Sequence, residues 1–410
     1  FKQKTAYEIS LGLVGSEMCI RDRDNIVVNH IAIIGAGVSG LTAGYALRKL
    51  GASVDIYERS ESVTEFGAGI TLSKNATSLL KELGLMDVLL KKGYQKFGSY
   101  IRDFKKDKII IYMEFDENFI SLDRRDLVEQ LSNKFFEIGG NIYFGKDIQL
   151  LDPSTGTVQI SDQNSKIYDL ILICDGIKSS LRNKFFDSSE PIFTNYVAWR
   201  GMVEANHLPS YNGNDKVNVY HGPRSHCVHY PTGHKNFINF VAIEHSNKWL
   251  EESWKTEGTR EEFKESFKGW NEELLSMFMS SEKLYKWGIF ERPIPRTLYE
   301  GKCALLGDAA HPMVPFLGQG GCLSIEDAFC ISALIDQEEN LGEALQIYDL
   351  LRNSRSRKMQ KRSKLQGVFN HVSNPFLASM RNMFTKITMR NSVNKIHSYD
   401  LKRDLALRIK

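Results

Sequence analysis

The sequence predicts an α/β protein built from a parallel βαβ unit, an inserted and mainly antiparallel β-sheet domain, and C-terminal helices. Three observations carry this expectation. A short apolar run, His30–Ile34, leads through a glycine-rich turn into a helical pattern, Leu41–Leu50. Between Phe186 and Pro295 the texture changes to alternating strands separated by polar turns. From Cys322 apolar residues recur at helical spacing to Ile335. The expected divisions are therefore 26–185, 186–295, 296–350 and 351–410, with the first and third forming one domain around the second.

The first unit is the most specific. His30–Ile34 suits a buried parallel strand, and Gly35-Ala-Gly37-Val38-Ser39-Gly40 follows it directly. Gly35 permits the tight turn, Gly37 lets the backbone approach a pyrophosphate, and Gly40 lets helix and strand pack closely. Val38 and Ser39 lie where a helix start offers unpaired N–H groups and a positive dipole end to phosphates. The next strand, Ser53–Tyr57, ends at Glu58, whose carboxylate suits ribose hydroxyls, with Arg59 beside it. Strand, helix, strand and acid together predict a Rossmann-like dinucleotide site but leave the dinucleotide open.

In the inserted region, Val197–Val203, Val217–Tyr220, Ser225–Tyr230 and Asn236–Ala242 read as strands, with Asn212-Gly213-Asn214 as a turn. One helix is expected over Thr259–Met279, its Phe263, Phe267, Trp270, Leu274 and Leu275 in the core. On the strand from Ser225, side chains alternate, so His226, Val228 and Tyr230 share one face and Cys227 and His229 the other.

Bulk properties narrow the class. With 53 basic and 50 acidic residues the net charge is +3, which gives no electrostatic reason for nucleic-acid binding. No apolar run reaches the ~20 residues that span a bilayer. The six cysteines form no CxxC pair and no ligand spacing with histidine, so neither a disulfide framework nor a metal site is expected, and the setting reads as reducing and cytoplasmic.

Two further segments complete the picture. Asp169-Leu-Ile-Leu-Ile-Cys174-Asp175-Gly176 is another buried strand ending in a polar turn. Gly301-Lys-Cys-Ala-Leu-Leu-Gly307-Asp308-Ala309-Ala310-His311-Pro312 runs into Pro315-Phe-Leu-Gly318-Gln319-Gly320-Gly321 and a helix. Together with Phe66-Gly-Ala-Gly69-Ile70 to Asn75 and Asp123-Arg124-Arg-Asp126-Leu127, these motifs stand in the order of the single-component flavoprotein aromatic hydroxylases. From Val27 to about Asn382 the chain resembles that family, whose fold is a Rossmann-like FAD-binding domain of the p-hydroxybenzoate hydroxylase type with an inserted substrate domain.

The resemblance implies tightly bound FAD, NADH or NADPH as a transient electron donor, and O2 with a small aromatic acid as substrates. It carries the FAD ribityl contact to Asp308 and a further FAD contact to Arg124. The Asp175 segment would serve flavin and nicotinamide. Gly320 and Gly321 would face the flavin N1–C2 edge from a helix start, whose dipole favours the anionic reduced ring, with Gly318 a further cofactor contact. Cys174 and Asp123 depart from the small residue and the histidine usual at those positions. His311 is expected to hold the loop.

For the substrate, the resemblance points to His226 and Tyr230, which would bind and deprotonate a ring hydroxyl so that the electron-rich ring attacks a flavin C4a-hydroperoxide. A half-buried polar strand without chemistry is the alternative. Tyr196-Val-Ala-Trp199-Arg200-Gly201 resembles a strand of salicylate- and hydroxynicotinate-type hydroxylases. Its arginine would face a substrate carboxylate or, more simply, satisfy backbone carbonyls. Pro315 replaces a polar residue of some hydroxybenzoate enzymes, which argues against one particular substrate. Other readings are an epoxidase or antibiotic-type hydroxylase of the same fold, or a non-catalytic flavoprotein-fold binding module. A flavin halogenase would need a WxWxIP segment, which the sequence lacks.

At the ends the expectations are plainer. Leu13–Arg23 resembles an in-frame translation of a sequencing adapter, so residues 1–25 are expected to be foreign to the fold or disordered. Arg352, Arg355, Arg357, Lys358, Lys361, Arg362 and Lys364 read as a solvated helix face. Val368–Ile387 is mildly amphipathic, which suits a cap on the domain, a homodimer contact or a membrane-surface helix.

Overall fold

The computed structural model describes residues 28–62, 69–95, 98–115, 118–161, 164–205, 216–232, 237–247 and 256–407, apart from the side chains of 386–392. The foreign stretch expected at residues 1–25 lies outside these residues, as do Phe66, Gly67, Ala68 and the Asn212-Gly213-Asn214 turn.

The chain begins with β1 (His30–Ile34), α1 (Val38–Lys49), β2 (Ser53–Tyr57), β3 (Gly69–Leu72), α2 (Lys74–Glu82) and α3 (Met86–Leu90). Next come β4 (Tyr94–Gln95), β5 (Gly98–Asp103), β6 (Ile109–Glu114), β7 (Ile120–Asp123), α4 (Arg124–Glu137) and β8 (Asn141–Tyr143). They are followed by β9 (Ile148–Asp152), β10 (Thr157–Ile160), β11 (Lys166–Ile167), β12 (Leu170–Ile173) and α5 (Ser180–Phe185). The inserted part holds β13 (Ile192–Glu204), β14 (Val217–Gly222), β15 (Ser225–Thr232), β16 (Phe237–His245), α6 (Arg260–Ser266), α7 (Glu272–Met279) and β17 (Tyr285–Glu291). The chain closes with β18 (Tyr299–Glu300), β19 (Cys303–Leu305), α8 (Gly320–Gln337), α9 (Leu341–Asn370), α10 (Pro375–His397) and α11 (Leu401–Ala406).

Among the described residues, one sheet has the order β18-β19-β12-β1-β2-β8, parallel except at β18/β19. Its central strands are buried on both faces, as a parallel sheet covered by helices requires. The fully buried β12 reads Leu-Ile-Leu-Ile, and α1 packs against α4 and α8. The loops at the C-terminal ends of β1, β12 and β19 therefore meet at one edge, where ligands bind in such sheets.

The other large sheet has the order β17-β13-β16-β15-β14-β5-β6 and is antiparallel except at β14/β5. Its two faces differ because side chains alternate. One face, with Trp199, Phe240 and Cys227, packs on Phe263, Phe267, Trp270 and Phe278 from α6, α7 and the turn between them. The opposite face carries Arg200, His221, His226, Val228 and Tyr230 and looks into a cavity. A small sheet, β3-β7-β4, joins the two halves. Gly69 N donates to Asn239 Oδ1 at 2.8 Å and Ser121 Oγ to the Pro231 carbonyl at 2.9 Å.

Several boundaries differ from the sequence expectation. The antiparallel sheet is not confined to 186–295, because β5 pairs in parallel with β14 and brings β6 with it. The single helix expected over Thr259–Met279 is two helices. Gly269 at φ +83° turns the chain, and Thr259 and Asn271 cap the two N-termini. The C-terminal helical region starts at Leu341 rather than 351. The helix expected over Val368–Ile387 is interrupted after Asn370, and Asn374 caps a new helix with Pro375 at its first position. Arg352 and Arg355 are buried in ion pairs instead of lying on a solvated face. No helix of the described residues is long and apolar enough to cross a membrane.

Candidate active site

The glycine turn is shaped by close approach. Gly35 adopts φ +107°, and a Cβ there would stand 2.5 Å from the Cys174 carbonyl at the end of β12. A Cβ on Gly40 would lie 2.0 Å from the Gly35 carbonyl, so the helix start sits directly on the turn. Gly40 thus acts behind the wall, while Gly35, Gly37, Val38 and Ser39 line the cavity. The first intrahelical bond runs from Leu41 N to Gly37 O at 2.9 Å, and no side chain caps the helix. The N–H groups of Val38, Ser39 and Gly40 are left for a ligand.

A second uncapped helix start faces the same space. α8 begins at Gly320 after Gly318, which takes φ +62°, and its N-cap Gln319 makes no capping bond. α4, α5, α7, α9, α10 and α11 are instead each capped by a side chain. Gln319, missed in the sequence, is held by Asn75 Nδ2 (3.0 Å) and Ser73 Oγ (3.0 Å). Asn75 also donates to Glu326 Oε1 at 2.6 Å, which ties the loop to the buried Arg352 and Arg355.

The acids differ in setting. Glu58 braces the turn, accepting from Ala36 N and Ser60 N at 2.8 Å each, and still borders the cavity beside Arg59. Asp308 is exposed to the cavity from the 3-10 turn Gly307–Ala309. Asp175 lines it from the end of β12 with a buried Oδ1 that has no hydrogen-bond partner among the described residues. Burial pushes its carboxyl up to about 6. Arg124 opens α4 onto the same cavity. Its neighbour Asp123 caps that helix and pairs with Arg125 at 2.6 Å, a structural use for the residue that departs from the family's histidine. His311 is buried, bonded to Asp327 at 2.6 Å, and does not line the cavity.

At the other end of this cavity of ≈ 940 Å³ the strand alternation holds: His226, Val228 and Tyr230 line it together. His221 of β14 stands directly opposite His226 in register and lines it too. His226 Nδ1 meets His371 Nε2 at 2.6 Å. Burial, then His371 and His221, hold the His226 imidazole well below its ordinary value. Burial likewise takes His221 and His371 down to about 3 and His397 to about 4. Arg200 lines the cavity with its guanidinium over the Trp287 and Tyr285 rings. Phe115, Phe119, Val217, Val219 and Ile396 give this end apolar walls.

His221 was within reach of the sequence, since the strand expected over Val217–Tyr220 stops one residue short of it. His371 and His397 had no local signal, because helices far along the chain deliver them. Among the described residues no cluster of His, Cys, Asp and Glu could hold a metal ion.

The donor set fits an elongated anionic dinucleotide. Two uncapped helix starts suit negative charge, a Cβ at Gly37 or Gly320 would meet nothing within 4 Å, and one buried carboxylate oxygen, Asp175 Oδ1, has no partner among the described residues. Comparison with known proteins agrees. Residues 29–363 match the family described as FAD binding domain. The chain is 30% identical over 354 residues to a 3-amino-4-hydroxybenzoate 2-monooxygenase of Streptomyces platensis, covering 84% of this chain and 89% of that protein. It is 26% identical over 355 residues to the 6-hydroxynicotinate 3-monooxygenase of Pseudomonas fluorescens, covering 81% and 89%. A salicylate hydroxylase substrate complex shares the fold with TM-score 0.80 at 22% identity, over 93% of this chain and 98% of that one. HpxO of Klebsiella pneumoniae, complexed with FAD and uric acid, does so with TM-score 0.79 at 23% identity, over 90% and 96%. The chain belongs to the FAD binding domain family and is an FAD-dependent monooxygenase.

Proposed function

We propose that the enzyme hydroxylates a small aromatic acid bearing a ring hydroxyl, of the salicylate, hydroxybenzoate or hydroxynicotinate kind, using O2 and electrons from NADH or NADPH. One observation carries this reading: the two uncapped helix starts and the His226–Tyr230 wall border a single cavity. The named substrates of the relatives are aromatic acids of this size. The five described cysteines are free and buried, which supports a reducing, cytoplasmic setting.

FAD, when bound, supplies electron storage and activation of oxygen. In this reading Gly35, Gly37, Val38 and Ser39 receive the pyrophosphate, with Gly40 keeping the helix close. Glu58 and Arg59 serve the adenosine side, Arg124, Asp175 and Asp308 the middle, and Gly318, Gly320 and Gly321 the ring edge. His226 acts on the substrate. Its Nδ1 is engaged by His371, so Nε2 is the ring nitrogen left for a ligand. A neutral imidazole accepts a hydrogen bond from the ring hydroxyl, and a substrate carboxylate nearby favours its taking the proton. Tyr230 orients the ring, and the apolar walls exclude water.

The test is NADH and NADPH oxidation by FAD-loaded protein across a panel of hydroxybenzoates and hydroxynicotinates, with peroxide followed in parallel. His226→Ala is expected to lower hydroxylation by about 10²–10³-fold while peroxide rises, with a smaller loss for Tyr230→Phe. Unchanged coupling removes His226 from the chemistry. If no aromatic acid stimulates oxidation, the substrate reading fails and an epoxidase or another hydroxylase takes its place.

A further inference from the structure

The corner where the end of α9 meets the start of α10 is built inside out. Ser363, Gly367, Asn370, Arg381 and Thr385 are buried, although most are polar. The large apolar side chains face outward instead. Leu365 and Val368 do so on α9, and Phe376, Leu377, Met380, Met383 and Phe384 form one stripe on α10. Val368 is 65% exposed and Phe376 72%. A solvated helix carries the opposite pattern, and a contiguous apolar patch marks an interaction site. The helices are also fixed in this orientation. Ser363 Oγ donates to the Val314 carbonyl at 2.6 Å and Arg381 Nη1 to the Asn370 carbonyl at 3.2 Å.

Charge identifies the occupant. Between Leu350 and Tyr399 the chain carries eleven lysines and arginines and no aspartate or glutamate, although the whole chain is only +3. Arg352 and Arg355 turn inward to Glu326 and Asp327, and Lys364 pairs with Glu291. Lys358 and Lys361 are exposed on the same stripe of α9 as Leu365 and Val368. A second copy in a symmetric dimer would set this patch against itself, bases facing bases. An acidic lipid surface accommodates both features, with apolar side chains at the acyl boundary and lysines among the phosphates.

We propose that the α9–α10 corner seats the enzyme on an anionic phospholipid surface. α10 runs on from this tip to Val393, Ile396 and His397, which line the active-site cavity, so one helix forms both the docked face and part of the cavity wall. The proposal does not depend on the substrate assigned above.

The test is cosedimentation of the FAD-loaded full chain with sucrose-loaded vesicles of phosphatidylcholine, alone or with about 30 mol % phosphatidylglycerol. The protein is expected to sediment with the anionic vesicles only, and to be released by salt. Phe376→Ser with Leu377→Ser should weaken partitioning by about tenfold or more. Lys358→Gln with Lys361→Gln should weaken it by about fivefold for each lysine removed. Both variants should keep the flavin absorbance and melting temperature of the parent, since all four positions are exposed. Absence of sedimentation with anionic vesicles overturns the proposal, as does equal partitioning onto neutral ones. If light scattering then shows a dimer that Phe376→Ser with Leu377→Ser dissociates, the face belongs to a second copy.

Discussion

Arg352→Met should destabilise the protein by about 3–5 kcal/mol, because it removes one partner from a buried ionic network and leaves the others in place. Arg352 is fully buried, with Nε at 2.6 Å from Asp327 and a terminal nitrogen at 2.8 Å from Glu326. Burial alone would push the Asp327 carboxyl up. His311 and Arg352 override it and hold that carboxyl below its usual range. Without Arg352, Asp327 keeps only His311 and the Gly307 amide, at 2.9 Å, against its own desolvation. The same amide sets the turn that presents Asp308 to the cavity, so FAD retention should fall along with stability. Urea unfolding and flavin release on gel filtration measure the two effects. A loss below about 1 kcal/mol would mean that the network is screened by water and not a dry ion cluster. The double replacement Arg352→Met, Asp327→Asn should recover much of the stability, since Asp327 is then neutral and Glu326 keeps its pair with Arg355.

That network marks the boundary of what the sequence makes legible. The first glycine turn, Glu58 and the β12 and β19 segments are local patterns whose geometry follows from neighbours a few residues away. The cavity face of β15 was equally readable, because strand alternation needs no partner to place His226, Val228 and Tyr230 together. The bases of α9 were not readable in this way. Arg352 and Lys361 lie in one basic run, yet the first is buried against α8 and the second is exposed. Only the packing of two helices separates them. The addition of β5 and β6 to the substrate sheet is likewise a matter of tertiary pairing, and His371 reaches His226 across 145 residues. Gly269 is an intermediate case. A glycine inside a helical pattern is a visible warning, but only its positive φ and the Asn271 cap make it a break.

Acid should unfold the protein unusually early, with a loss of roughly 5 kcal/mol between pH 7 and pH 5. His221 and His371 are held at about 3 and His397 at about 4, in each case mainly by burial, and His226 lies well below its ordinary value for the same reason. The unfolded chain binds protons at these histidines near pH 6.5, whereas the native state does not. Stability therefore falls as pH drops through about 6.5 and goes on falling until the native groups titrate, at about 1.4 kcal/mol per pH unit for each histidine. The four contributions do not simply add, because His221, His226 and His371 are neighbours. Asp175 acts in the opposite sense. Its carboxyl, raised to about 6, binds a proton in the native state before the unfolded chain does, which offsets about 1 kcal/mol by pH 5. Glu326 and Asp327 are shifted down, so their stabilisation is lost only below the ordinary carboxylate range near pH 4. The window between about pH 6.5 and 4.5 thus belongs to the histidines. Urea midpoints of the FAD-loaded protein at pH 7 and pH 5 measure the slope. His371→Gln, which keeps a hydrogen-bonding group beside His226, should flatten it. Equal midpoints at the two pH values would mean that these imidazoles take up protons in the folded protein as readily as in the unfolded one, so the cavity end beside them is wet.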